Sequence, residues 1–362
     1  MLIVSIRFFF LVFIFRKFTF HRPILDRAKT NNTPPVSVII CAKNESENLQ
    51  ANLHHIHEQE YPDFEIVLIN DASSDDTAEV MDAFAMEHTN IKVVHVANTE
   101  VFWGNKKYAL TLGIKSASYD HLLFTDADCR PVSKYWIANM VNGFSDSNTI
   151  VLGYSPYQYK KGSLINVIIR FETLLTAVQY YSYAMIGLPY MGVGRNMAYH
   201  RSAFNKSKGF VTHMHLLSGD DDLFVNQNAT RYNVSCCFTP DSFVVSAPKE
   251  SFLEWFRQKR RHVTTAAFYK SLHKRLLAVF YLSGFLYWFF IGVLLFNRKF
   301  TWEVLVLILF FHVIQFIFYK KAFAKLGDKK MWWATPLLEG FLISAQFSIF
   351  IANRISKPKY WK

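Results

Sequence analysis

The chain has 362 residues, room for one large domain or two ordinary ones; 51% are hydrophobic, 17% aromatic with 35 Phe, and 19% charged. That balance excludes an end-to-end bundle of membrane helices and sits badly with a wholly soluble enzyme, so a soluble part joined to a lipid-facing part is expected. The net charge of +12 lies in pairs flanking apolar runs, such as Arg16-Lys17, Lys320-Lys321 and Lys329-Lys330, not in a basic stripe with stacking aromatics, which points to anionic membrane lipids and away from nucleic acid. Four cysteines (Cys41, Cys129, Cys236, Cys237) without CxxC or zinc-type spacing to His exclude a disulfide framework and fit a reducing compartment.

In chain order, the apolar run Leu2–Phe15, broken by Ser5 and Arg7, falls short of the roughly 20 residues of a full span. Residues 1–20 are expected to form a short membrane anchor with its basic end in the cytoplasm. Residues 26–35 (DRAKTNNTPP) read as a linker. From Val36 the rhythm changes. VSVII, FEIVLI, IKVVHV and HLLFTD are strand-like, and ESENLQANLHHIHEQ, SDDTAEVMDAFAMEH and NKKYALTLGIKSA between them carry apolar residues at helical spacing. This alternation predicts an α/β domain with a mostly parallel sheet, whose ligand crevice lies beyond the carboxyl ends of the strands. Polar residues gather at those ends: Lys43, Asn44 and Glu45 after the first strand, Asp71 after the second, Asp126 and Asp128 after the fourth.

Asp126-Ala127-Asp128 places two carboxylates one residue apart. Both stay ionised only beside a cation or several donors, and Mg²⁺ or Mn²⁺ takes one or two carboxylates with phosphate oxygens. A turn or helix cap is the structural alternative. Asp71 precedes Ser73, Ser74 and Asp75, any of which can cap the next helix, so it remains free to accept from a base or ribose. Lys106 opens the third helix, where phosphate meets an N-terminus.

CAKNES, LINDASSDDT, GNKKYAL and LLFTDADCRP, in this order, resemble the nucleotide-sugar-binding half of family 2 glycosyltransferases with the GT-A fold. The resemblance runs from about Val36 to His262. It implies a glycosyltransferase domain at 34–262 (nucleotide half 34–131, acceptor half 149–262). It further implies that Asp71 contacts uridine, that Asp128 holds a divalent cation on the diphosphate, and that Asp126 supports both. Lys43, Asn44, Glu45 and Lys106 would line the donor site.

Residues 164–192 are apolar and aromatic but include Arg170 and Glu172, so they are expected at or under the membrane surface. MGVGRNMAYHRSAF is similar to the family's acceptor segment, with Gly194, Arg195 and Asn196 facing the acceptor. In LLSGDDDLFVNQ the resemblance puts Asp220 in the general-base position, with Gly219 where the family usually has Glu. Asp220 and Asp221 both stay open as the base. EWFRQKRRHV looks like the QxxRW motif. Gln258 and Arg261 would meet the leaving diphosphate, and His262 stands where the family has an acceptor-bordering Trp.

Beyond Arg275, Leu276–Phe296 and Trp302–Tyr319 are good spans within a transmembrane region at 276–352. A third crossing by 333–352 would carry the basic tail outside, against the positive-inside rule, so that segment is expected to be re-entrant or to break the rule. The whole predicts a membrane glycosyltransferase with a cytoplasmic catalytic domain, a nucleotide-sugar donor (UDP-linked), a lipid or glycan acceptor, and Mg²⁺ or Mn²⁺. The rivals are a processive polysaccharide synthase, an inactive scaffold, and a transporter built around Glu339.

Overall fold

The computed structural model of the protein describes residues 1–21, 33–97, 106–297 and 301–356. Most of the expected linker at 26–35, Gly104-Asn105 of GNKKYAL, and the tail beyond Ser356 lie outside the described residues.

Four strands carry the nucleotide half: Val36–Ala42 (β1), Phe64–Asp71 (β2), Ile91–Val96 (β3) and His121–Asp126 (β4). They are parallel in the order β3-β2-β1-β4. The crossovers are Ser46–His57 (α1), Thr77–Glu87 (α2) and Lys106–Ser116 (α3). Period-two alternation decides which face each helix covers. Val36, Val38 and Ile40 pack with Leu49 and Leu53 of α1, while Ile39 and Cys41 pack with Leu110 and Ile114 of α3 on the other side. The chain leaves β1 toward β2 on one side and β4 on the other, so the switch point falls between β1 and β4.

Short strands extend the layer. Cys129–Pro131 (β5) pairs antiparallel with Val244–Ser246 (β9), and Ile150–Leu152 (β6), Met197–His200 (β7) and Val234–Cys236 (β8) complete a seven-stranded mixed sheet. The fold is GT-A-like.

Leu164–Met185 (α4) is the floor between this domain and the apolar helices. Of the two expected places, at or under the membrane surface, its burial on both sides fits packing under the apolar helices. Tyr181 stacks on Phe18 at 5.3 Å, Phe171 meets Phe323 edge-on at 5.9 Å, and Gln179 Oε1 accepts from the Tyr281 hydroxyl at 3.1 Å. The charges that argued against a span work as fasteners. Arg170 donates to Asp328 at 2.6 Å, and Glu172 pairs with Lys259 at 2.6 Å.

Three helices are long and apolar enough to cross a membrane: Ser271–Phe296 (α7), Trp302–Lys325 (α8), and Thr335–Ile355 (α9) with the turn Met331–Ala334 before it. Phe289, Phe290, Leu309 and Phe310 stand exposed on the first two, as lipid-facing side chains do. The N-terminal segment is one continuous helix, Leu2–Phe9 and Arg16–Phe20 joined by a π-helical stretch Phe10–Phe15. The segment expected as a short membrane anchor packs into the bundle, with Phe10 and Phe15 both edge-on to Phe280.

Arg7, buried in that helix, pairs with Glu339 of α9, whose other oxygen accepts from Gln315 at 2.6 Å. The helix α9 is unbroken. Its start follows Asp328, held by Arg170 of α4. Its end is bonded to Arg260 through Asn353 (Nε to Oδ1 3.0 Å, Nδ2 to the Arg260 carbonyl 2.8 Å). Both ends thus meet the catalytic domain.

Candidate active site

The parallel register sets Cys41 opposite Asp126 and Ala42 opposite Asn70, so the residues following β1, β2 and β4 emerge along one edge. The turns there are laced together. Asn44 Oδ1 accepts from the Ser74 amide at 2.8 Å, the Asn44 amide donates to Ser73 Oγ at 3.0 Å, and the Glu45 amide donates to Thr77 Oγ1 at 2.9 Å. Asn44 and Ala72 both adopt positive φ, +54° and +49°, a conformation Asn tolerates and Ala rarely takes. Asp71 is buried. Burial pushes its carboxyl up while Lys43 and Lys106 pull it down, and its Oδ2 has no partner among the described residues.

Lys106, the first residue of α3, joins two carboxylates from distant parts of the chain. Its Nζ lies 2.9 Å from Asp126 Oδ1 and 3.3 Å from Asp220 Oδ2. Burial alone would lower its pKa, but Asp126 and Asp220 outweigh burial and hold the ammonium well above the ordinary lysine range. Asp128 is pushed up, by burial first and then by Asp126. It accepts from Cys129 Sγ at 3.1 Å and Ser246 Oγ at 3.4 Å. A carboxylate whose charged form is disfavoured by burial and a like neighbour, on a cavity wall, fits a hard divalent cation completed by phosphate oxygens.

The three consecutive acids have separate surroundings. Gly219 turns into them at φ +107°, and a Cβ there would lie 2.6 Å from Leu223 Cδ1; that is why Gly occupies this position. Lys107, wholly buried, donates to the carbonyls of Leu216 and Ser218 and fixes the approach to the turn. Burial would raise Asp220, but Lys106 and Lys107 hold it below the usual carboxylate range. Asp221 accepts from the Gly194 amide at 2.8 Å and the Asp222 amide at 2.7 Å. Burial, then Asp220 and Asp222, push it up to about 7. Asp222 opens the helix Asp222–Asn228 (α5) and accepts from Thr265 and, at 2.6 Å, from the Tyr269 hydroxyl.

A cavity of about 1590 Å³ unites these groups with Gln258, Arg261 and His262 on the basic helix Phe252–Val263 (α6). Burial lowers Arg261, with Asp220 and Asp126 opposing it. His262 lines the cavity and keeps exposed surface. Burial and then Lys259 and Arg261 hold it well below the usual histidine value, so it is neutral at pH 7. Arg195 lies 4.3 Å over the Tyr157 ring and donates to the Ser155 carbonyl at 3.4 Å. Its Nη1 is buried without a partner among the described residues.

Residues 37–207 match the model of Glycosyl transferase family 2. The chain carries a family 2 glycosyltransferase domain. A poly-β-1,6-N-acetyl-D-glucosamine synthase of Staphylococcus epidermidis is 38% identical over 116 residues, 32% of this chain and 27% of that protein. The chain thus matches about a quarter of that relative's length. A probable glycosyltransferase of Bacillus subtilis, YdaM, is 26% identical over 302 residues, 78% of this chain and 70% of the relative. A mannosyltransferase of Pyrobaculum calidifontis, solved with GDP-Man and Mn²⁺, shares the fold at TM-score 0.57 and 17% identity, over 99% of this chain and 90% of that one.

The cavity brings together Lys43, Glu45, Lys106, Asp126, Asp128, Gly194 and Arg195 of the matched residues with Asp220, Asp221, Gln258, Arg261 and His262 beyond them. Three expectations need correction. Asn196 does not face the acceptor. It is fully buried, donating to the Tyr154 and Ser242 carbonyls (each 2.8 Å) and accepting from Trp136 Nε1 at 3.0 Å. Gly194 admits the Asp221 carboxylate rather than a sugar: a Cβ there would lie 3.3 Å from Asp221 Cβ. Asn44 and Asp71 are not among the residues lining the cavity: Asn44, exposed, ties two turns together, and Asp71 is buried. Lys107, Gln179 and the Thr265–Tyr269 anchor of Asp222 were missed. Only Lys107 left a signal, as the neighbour of Lys106 in KK.

Proposed function

We propose that the chain is a membrane-held, inverting glycosyltransferase that moves a sugar from a nucleotide diphosphate sugar, UDP-linked in the simplest reading, to a lipid or glycan acceptor. The observation that carries this is the Lys106 bridge between Asp126 and Asp220 inside one cavity. It couples the wall suited to a diphosphate to the acid suited to an acceptor. Lys43, Lys106, Gln258 and Arg261 orient the donor, with Asp71 behind them toward the base. A divalent cation, Mg²⁺ or Mn²⁺, would be held by Asp128 with Asp126 and would neutralise the diphosphate.

Asp220, kept ionised by Lys106 and Lys107, takes the proton of the acceptor hydroxyl while that oxygen attacks the anomeric carbon from the face opposite the leaving group. Arg261 and Lys106 stabilise the charge left on the departing nucleotide diphosphate. Asp221 holds the loop through Gly194 and tunes Asp220; Arg195 and His262 border the acceptor. The basic pairs beside the apolar helices favour a cytoplasmic catalytic domain.

A processive synthase is the second reading, favoured by the 38% identity to the poly-N-acetylglucosamine synthase over 116 residues. Nucleotide release by the purified protein, over a panel of UDP- and GDP-sugars with Mn²⁺ and membrane extract, tests the transfer reading. It expects one active donor and loss of release in Asp128→Ala and Asp220→Asn. Release that neither substitution alters would overturn it, and product length separates single from processive transfer.

A further inference from the structure

The cavity does not end at the acids. It is also lined by Thr176 and Gln179 of α4, Tyr281 of α7 and Gln346 of α9. Gln179 is 2% exposed; its Oε1 accepts from the Tyr281 hydroxyl, while its Nε2 donates to nothing among the described residues. A buried amide left with a donor on a cavity wall is costly unless a ligand oxygen meets it. The same cavity is also lined by apolar side chains, Ala278, Leu282 and Phe285 of α7 and Ile343, Phe347 and Phe350 of α9, on two helices apolar enough to lie in a bilayer. Leu282, Phe347 and Phe350 are exposed.

We infer that, in the transfer reading above, the acceptor is a membrane lipid. Its polar head is held at Gln179, Tyr281 and Gln346 with the reacting hydroxyl toward Asp220, and its hydrocarbon chain lies between α7 and α9. The mixture of surfaces argues for this occupant: acids, amides and hydroxyls, and apolar side chains of two helices apolar enough to lie in a bilayer all line the one cavity. Such a mixture matches an amphiphile. A growing glycan passing the same way would meet hydrocarbon where it needs hydrogen-bond partners. Lys259, Lys274 and Arg354 line the same cavity, positive charge that suits an anionic headgroup.

The test supplies a radiolabelled donor and, separately, a total membrane lipid extract in nanodiscs or a delipidated glycan fraction. Label in the organic phase is expected only with lipid. Ala278→Trp and Phe350→Glu block the chain's path without touching the acids. Each should lower lipid transfer at least tenfold while nucleotide release by donor hydrolysis stays at the wild-type level, which also certifies the fold. Gln179→Leu should raise the KM for lipid with kcat less affected. Label confined to the aqueous phase, or lipid transfer unchanged in both blocked variants, overturns the lipid acceptor and leaves the transfer reading intact. Failure of wild-type protein to release nucleotide from any donor removes both.

Discussion

Asp220→Asn separates the two acids that the sequence left open. Asn keeps the shape but cannot take a proton, so transfer should fall by about 10²–10⁴-fold, the usual worth of a general base. The structure adds a signature beyond the loss. Asp221 is pushed from 3.8 to about 7, a disfavouring of its ionised form by about 4 kcal/mol, to which burial contributes most and Asp220 and Asp222 the rest. As Asp221 ionises, its charge raises the basicity of Asp220, so wild-type transfer should climb with pH along a limb centred near 7, an apparent value of the acid cluster. Removing the Asp220 charge lowers Asp221 only in part, because burial and Asp222 remain, so any limb left in the residual activity of Asp220→Asn should move to lower pH. Asp221→Asn should flatten the profile but keep transfer within roughly tenfold of wild type, because Asp220 is still there. The assay is kcat/KM for nucleotide release with acceptor, from pH 5.5 to 8.5. If Asp221→Asn carries the large loss and Asp220→Asn stays within tenfold, the roles are exchanged and the argument from the Lys106 bridge is wrong.

The same acid predicts a stability slope. Its folded pKa lies above its unfolded value, so the folded state binds the proton more tightly and stability falls as pH rises from about 4 to about 7. Asp221→Asn should therefore raise the melting temperature at pH 8 and barely change it at pH 4; equal shifts at both would contradict the burial and charge of this site. Gly219→Glu restores the family's usual residue yet should lower activity by at least tenfold, since φ +107° and the contact with Leu223 force the acids to move; wild-type rates would show the turn is not strained. Breaking the buried pair with Arg7→Leu should destabilise by about 3–5 kcal/mol in denaturant titration, and adding Glu339→Leu should recover much of it; additive losses would mean the ions do not need each other. Because both ends of α9 are fastened to the catalytic domain, a cysteine at Ser356 should react with an impermeant maleimide from the same side of sealed vesicles as one at Glu250; labelling from the opposite side means α9 crosses.

The parallel half was legible because each strand is a short β-branched run ending in polar residues and each helix shows its own period, so the edge bearing Lys43, Asp126 and Asp128 followed from pattern alone. Side-chain direction was not legible. Gly194, Arg195 and Asn196 are adjacent in a 3-10 turn, yet Arg195 faces the cavity and Asn196 is swallowed by the core, because successive residues of so tight a turn point about a third of a circle apart. Gln179 gave no signal at all. Within an apolar, aromatic helix it looked like one polar residue among many, and its importance comes only from Tyr281, a hundred residues later, and from the space in front of it.

Glu339 shows the same limit from the opposite direction. A carboxylate in an apolar run is a functional candidate by default, and alone it suggested a transporter. Its partners are Arg7, from the far end of the sequence, and Gln315 on the neighbouring helix, and together they take both of its oxygens. A charge so occupied lines no path. It also accounts for the interruption that made the N-terminal run look too short: Arg7 breaks the apolar stretch because it meets Glu339 inside the bundle. The two polar anomalies of the apolar helices are thus one structural feature.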